Sequence, residues 1–448
     1  MPQLTASRTP DQDLLEQAVS HALEEARLGG ADQAEAAASV SRGLSVTVRK
    51  GEVESLEYQR DRGIGITVYV EGRQGSASTA DLGRAAVCET VRKALSIARF
   101  TARDDYAGLA PAERMVREVP DLGLCHPWAL DAEQAIEIAR RVESAALGSD
   151  DRITNTDGGS VGTHVGRRVY GNSHGLLVGY PSSSHSLSCV VMAGQGDDMH
   201  RDHWYSSARD PARLEDAESV GRRAATRVLA RLGARQLSTR EAPVLFAAEQ
   251  ARGLVGHLVA AVRGGAQYRK SSFLCGAMGQ QVLPEWLGLT ERPLLRGEPG
   301  SAPFDNDGVA TADSVLVQHG RLERYVLSAY SARKLGLETT ANAGGVRNLE
   351  LEGEGHSFED LLRRMGQGLL VTEMMGQGVN LVTGDYSRGV AGFWVEGGEV
   401  AHAVQEMTIA GNLADMLRGV QAIGTDTDRR GSIRAPSILL APMTIAGG

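Results

Sequence analysis

The side chains in this sequence that could do chemistry are few and scattered. His200-Arg-Asp-His203, preceded by Asp197-Asp198, has enough nitrogen and oxygen donors for a divalent metal. The plainer reading is two solvated histidines in a charged loop, and in an extended strand residues three apart face opposite sides. Gly171-Asn-Ser-His-Gly matches the GxSxG spacing of a nucleophile elbow. That elbow must join a strand to a helix, whereas here strand-like Arg168-Val-Tyr leads into strand-like Leu176-Leu-Val, which predicts a hairpin turn. Gly63 and Gly65 begin a strand instead of opening a helix, so they do not form a phosphate-cradling loop, and no GxxxxGK[ST] occurs. His257 stands alone on the apolar stretch Ala247 to Val262, where a lone imidazole is ordinarily a packed core residue.

The elements that must position these groups follow from caps and periods. Thr9-Pro10-Asp11-Gln12 reads as a capping box, and Leu14, Leu15, Ala18, Val19, Ala22, Leu23 and Ala26 then mark one helical face up to Gly29-Gly30. Leu44 to Lys50 and Ile64 to Val70 alternate as neighbouring strands. Helices are expected near 82–102 and 131–147, with a proline-containing connection between them. The segment 152–207 is polar, glycine-rich and strand-like. Asp210-Pro211 opens a further helix, with Leu214, Ala217, Val220, Ala224, Val228 and Leu232 inward, that ends at Gly233. The polar run between Gly233 and Pro243 separates an N-terminal mixed α/β domain (1–235) from a β-rich C-terminal domain (240–448), an α+β fold overall. Helices near 249–263, 357–369 and 412–420 are inserted in the second domain, and Glu396-Gly-Gly-Glu399 forms a hairpin turn.

Composition bounds the function more than it identifies it. The 448 residues exceed one ordinary core and fit two domains. Net charge is -9 with both signs interspersed, and basic residues cluster only in pairs such as Arg363-Arg364 and Arg429-Arg430, so nucleic acid is a poor partner. Cys88, Cys125, Cys189 and Cys275 show no CxxC spacing, and the first residues carry no apolar signal core, which points to a reduced cytoplasm. No stretch approaches the roughly 20 apolar residues a bilayer crossing requires.

Several longer motifs resemble the PmbA/TldE branch of the TldD/PmbA family across almost the whole chain. They are Gly63-Ile-Gly-Ile-Thr-Val-Tyr-Val, Gly75-Ser-Ala-Ser-Thr, Gly171-Asn-Ser-His-Gly, Pro303-Phe-Asp-Asn-Asp-Gly-Val, and the long run Gly376-Gln-Gly-Val-Asn-Leu-Val-Thr-Gly-Asp-Tyr-Ser-Arg-Gly-Val-Ala-Gly-Phe-Trp-Val-Glu. In the family's catalytic TldD branch an HExxxH helix supplies two zinc-binding histidines and a general base, and a cysteine near the C-terminus completes the site. Anchored on Gly256-His257, that pattern places Arg252 at the first histidine and Gly253 at the glutamate, and the cysteine position falls at or near Ala435. A guanidinium offers no lone pair and glycine no base, so a degenerate metal site is expected.

The resemblance implies a non-catalytic subunit without a cofactor of its own, paired with a TldD-like partner that carries zinc. The two together would act on unfolded or extended peptides, and any effect on DNA gyrase would be indirect. The glycines at 376, 378, 384, 389 and 392, with Asp385 and Tyr386, are the candidate peptide channel, because bare backbone lets an extended chain pair by main-chain hydrogen bonds. Tight sheet packing and turns are the alternative for the same glycines. Two other functions stay open at this point: an autonomous metallopeptidase with its metal moved to His200 and His203, and a homodimeric peptide-binding module that works without the partner.

Overall fold

The computed structural model describes residues 10–447. The residue expected to cap the first helix, Thr9, lies outside them. Helix α1 (Pro10–Leu28) leads into a hairpin of two long strands, β1 (Gln33–Arg49) and β2 (Glu52–Val70), followed by β3 (Arg73–Thr79), α2 (Arg84–Phe100) and α3 (Ala132–Leu147). Strands β4 (Ile153–Asn172), β5 (Leu177–Ala193) and β6 (His200–Ala208) and helix α4 (Ala217–Leu229) complete this half. The six strands form one sheet in the order β3-β2-β1-β4-β5-β6, antiparallel throughout.

Two helix pairs cover one face of this sheet at opposite ends. Leu15, Val19 and Ala22 of α1 and Val87, Val91 and Ala94 of α2 pack on Ala36, Ile64 and Ile66. Ala139 and Val142 of α3 and Val220 and Ala224 of α4 pack on Val46, Val161 and Val191. Leu14, expected on the inward face of α1, is 38% exposed because it looks into the gap between the pairs. Asp131 forms the reciprocal capping box of α3 with Gln134. The helix expected from Asp210 is interrupted: Asp210 caps only a 3-10 turn over Pro211–Arg213, and the α-helix starts again after Asp216, whose carboxylate accepts the Ser219 N–H. Two cap-forming aspartates six residues apart each begin a turn, and Leu214 is left in the extended link between them.

The second half begins with β7 (Arg240–Phe246), α5 (Ala248–Ala261) and the short α6 (Gly264–Tyr268), then β8 (Gly288–Glu291), β9 (Ser314–Gln318), β10 (Arg321–Leu322), α7 (Ala329–Leu335), β11 (Leu349–Glu352), β12 (Gly355–His356) and α8 (Phe358–Met365). It ends with β13 (Gly368–Met375), β14 (Asp385–Glu396), β15 (Glu399–Asn412), α9 (Leu413–Arg418), β16 (Val420–Gly424), β17 (Ile433–Arg434) and β18 (Ile438–Ala446). A small five-stranded sheet, β10-β9-β8-β11-β17, stands beside a seven-stranded one, β12-β16-β18-β15-β14-β13-β7. Strand β7 pairs with β13 on one side and with β18 on the other, so the larger sheet closes on itself. Helix α5 packs Leu254, Val255, Leu258 and Val259 into the larger core with Phe246, Val371 and Ile438, while α8 covers the opposite face through Leu361 and Leu362. The Glu396-Gly-Gly-Glu399 hairpin forms as expected, with Gly397 and Gly398 both at positive φ (60° and 81°). The chain is thus α+β, with one β-rich part carrying inserted helices. Among the described residues no helix is long and apolar enough to cross a membrane.

Candidate functional site

Helix α5 carries Arg252, Gly253 and His257 toward the ends of β13 and β14 and the loop before β17. The Arg252 Nε lies 3.1 Å from Asp428 Oδ2, close enough to pair ionically although not aligned as a hydrogen bond. Asp428 is buried and also receives Arg430, whose Nε and Nη2 each lie 3.0 Å from one of its oxygens. Burial alone would raise this carboxyl, but the hydrogen bonds from Arg430 and the charge of Arg252 outweigh it and hold it below the ordinary value. The Asp428 N–H donates to the carbonyl of fully buried Ala435 at 3.0 Å, so Ala435 lies beside this pair. A Cβ on Gly253 would meet Met374 Cε at 3.5 Å, an ordinary contact.

His257 stacks edge-on against Tyr386, with centroids 5.9 Å apart, and its Nε2 is buried without a hydrogen-bond partner. Burial first, and the nearby Arg388 charge second, lower its pKa and favour the neutral imidazole. The Tyr386 hydroxyl is pushed up to about 12 by burial and lies 3.1 Å from Met374 Sδ. These groups do not suit zinc: the positions to which the resemblance assigns ligands and base hold a guanidinium, a glycine and a methyl, and the nearby carboxylate is engaged by two arginines.

The candidate channel glycines have separate roles in the local geometry. Gly376 has φ +73° and open space around it, and Gly384 has φ +81° and packs against Asn412. At Gly378 an ideal Cβ would fall 1.9 Å from the Ser387 carbonyl oxygen, so the backbone approaching it is the chain's own β14. Asp385 is exposed and accepts the Thr383 hydroxyl, and Tyr386 is buried against α5.

His200 and His203 are not brought together. They lie on the outer strand β6, not in a loop, and point to opposite faces. His200 is buried with Nε2 3.0 Å from Asp198 Oδ1, whereas exposed His203 stacks on Tyr205. Gly171-Asn-Ser-His-Gly is the β4–β5 turn, where Ser173 Oγ accepts the Ala34 N–H.

Sequence reasoning missed two clusters, because their members are far apart in the chain. One ties the halves together beside α5: Arg227 reaches Asp202 at 3.2 Å and Glu249 at 3.0 Å, while Arg223 and Arg430 both lie over the Trp204 ring. The other explains the Pro303-Phe-Asp-Asn-Asp-Gly-Val motif. Asp305 is fully buried and accepts N–H bonds from Asp307, Val309 and Ala343, while the Asp307 carbonyl meets Tyr170, whose hydroxyl also donates to Glu35. Burial, with the Asp307 charge added, raises Asp305 to about 6, and burial also raises Asp307 and Glu35.

Because the folded-state pKa of Asp305 lies above its unfolded value, its contribution to stability is full below about pH 4 and is lost as pH rises through about 6. The gap corresponds to roughly 3 kcal/mol. Asp307→Asn removes the neighbouring charge and should flatten the stability gain seen between pH 7 and pH 5. Denaturant melts across that range check it, and equal slopes in variant and parent would refute the coupling.

Three family models cover nearly the whole chain: domain 1 of the PmbA/TldA metallopeptidases matches residues 34–98, their central domain 125–232 and their C-terminal domain 239–447. The chain is also 51% identical over 434 residues, spanning 97% of this chain and 96% of the relative, to metalloprotease PmbA of Escherichia coli O157:H7. This chain belongs to the PmbA/TldE family. A Bacteroides thetaiotaomicron protein named for modulation of DNA gyrase shares the fold at TM-score 0.92 and 28% identity, covering 97% of this chain and 99% of that one. TldE from Thermococcus kodakarensis superposes at TM-score 0.83 with 22% identity, covering 96% of this chain and all of that one, a likeness of fold.

Proposed function

We propose that this chain is the non-catalytic subunit of a cytoplasmic zinc metallopeptidase, partnered by a TldD-like chain that holds the metal and acting with it on unfolded or extended peptides. The observation that carries this reading is Arg252: a permanently charged guanidinium, paired with Asp428, occupies the helix position where an imidazole ligand belongs. With Gly253 and Ala435 at the other two positions, α5 keeps the shape of a zinc helix without its base or its ligand set. The chain then supports the partner's site and contributes to the wall of the peptide path, and alone it forms at most a homodimer without hydrolytic activity.

The test is to purify the chain alone and with a TldD-like partner, and to measure zinc content and hydrolysis of an unfolded peptide in each. Zinc and turnover are expected only with the partner. A zinc-edge anomalous peak within bonding distance of His257 in the isolated chain would overturn the reading. Repair is a second measure. Arg252→His with Gly253→Glu should yield no turnover, because Ala435 still supplies no thiolate, and adding Ala435→Cys is the minimal gain-of-function trial. Appreciable hydrolysis by the double variant would show that the third ligand comes from elsewhere.

A further inference from the structure

The open strip of the six-stranded sheet between its two helix pairs forms a cleft of about 990 Å³ that none of the chemistry above uses. Its floor is set by register. One rung places Arg62, Val40 and Arg167 side by side on β2, β1 and β4, and the next but one places Arg60, Arg42 and Val165. Four arginines therefore share two alternate rungs on one face of a chain whose net charge is -9, and the rung between them, Asp61, Ser41 and Gly166, has the opposite side-chain parity although Asp61 also borders the cleft. Arg42 pairs with Asp11 at 2.6 Å and Arg167 donates to the amide oxygen of Gln12 at 3.0 Å, while Arg60 and Arg62 have no ionic or hydrogen-bonding partner among the described residues. One wall adds Trp128, Pro127 and Cys125.

An independent feature borders the same cleft. Strand β3 pairs with Ile64–Val70, so among the described residues β2 from 52 to 63 is bonded to β1 alone and its outer backbone edge is unpaired. On the face that carries Arg60 and Arg62, this edge also shows Tyr58, 70% exposed, and Leu56, 38% exposed. Long edges are normally blunted or covered, since they template strand addition. Here a strand continuing the line of β3 would place every second side chain beside Arg62, Arg60, Tyr58 and Leu56 in turn.

We propose that this edge is a docking site for an extended acidic polypeptide segment, one with carboxylates two residues apart followed by apolar residues at the same spacing. Main-chain hydrogen bonds to β2 hold the segment, and Arg60 and Arg62, backed by Arg42 and Arg167, select its charge. A single-stranded nucleic acid offers the charge but cannot continue a β-ladder. Residues 1–9 contain no acidic residue and so lack the complementary charge. The site does not depend on the subunit reading above.

The test uses the full chain and labelled peptides of about eight residues that alternate acidic and small residues before an apolar end. Fluorescence anisotropy should show binding about tenfold tighter than for the same peptide with amides in place of its carboxylates, and weakening as salt rises. Two further peptides, N-methylated at odd or at even amides, separate the backbone contribution: one set should lose binding, because only alternate N–H groups face β2. Arg60→Glu with Arg62→Glu should reverse the preference toward a lysine-containing peptide, and the milder Arg60→Gln with Arg62→Gln should remove it. Both pairs are exposed and leave the melting temperature as the check on folding. Equal affinity for acidic and amide peptides, or equal tolerance of both methylation patterns, overturns the proposal. Full competition by inorganic polyphosphate or single-stranded DNA also overturns it, in favour of a simple anion site. So does self-association through this edge that the arginine variants abolish while the acidic peptide does not bind.

Discussion

Asp428→Ala should destabilise the chain by about 3–5 kcal/mol, the loss seen when one partner of a buried ion pair is removed and its charges are left uncompensated. Arg252 and Arg430 keep only 25% and 15% of their side-chain surface exposed, so water cannot readily replace the carboxylate. Arg430 also links this cluster to the other half of the molecule, through the Tyr205 carbonyl at 3.1 Å and the face of Trp204. The loss should therefore extend beyond one loop. Denaturant unfolding gives the free energy directly, and Asp428→Ala combined with Arg252→Met should recover part of it by deleting one orphaned charge. A single-variant loss below about 1 kcal/mol would show that the arginines are solvated after all, and that the pair is a surface ion pair in effect.

Gly392→Val should be at least as damaging. An ideal Cβ at Gly392 would stand 1.9 Å from the Leu370 carbonyl oxygen, and Gly392 is paired on both sides, with Val371 in β13 and Val404 in β15. Backbone cannot rotate away as a side chain can, and a sheet that closes on itself gives β14 no free edge to move toward. A loss of about 3 kcal/mol or more follows, at the upper end for overpacked positions. Gly376→Ala is the contrast. It has φ +73° and nothing within 4 Å, so only left-handed backbone strain, about 1–2 kcal/mol, is expected. Comparable melting of the two variants would mean that crowding at Gly392 relaxes more easily than the ladder implies. Gly378→Val lies between them, since it meets Ser387 in an exposed connection, and its melting must be measured before any effect on peptide hydrolysis is read as a channel effect.

Several features of the molecule were set by residues close together in the chain. The α3 cap at Asp131, the inward stripe of Leu15, Val19, Ala22 and Ala26, the alternation that makes β1 and β2 neighbours, and the Gly397-Gly398 hairpin each depend on dihedral preference or on the period of one element. That Arg252 offers no lone pair and Gly253 no base is likewise a property of the residues themselves. Tertiary structure alone decided the rest. Leu14 carries the right period for burial, but it borders the cleft between the helix pairs, so it stays partly exposed. Strand β7 is short and could pair with many partners, and it closes the sheet only because β13 and β18 converge on it from the far end of the chain. The pairing of Arg252 with Asp428 and the enclosure of Asp305 beside Asp307 have no local signature either. Charge pairing and desolvation depend on which surfaces are buried against each other, and that is settled only when the whole chain has packed.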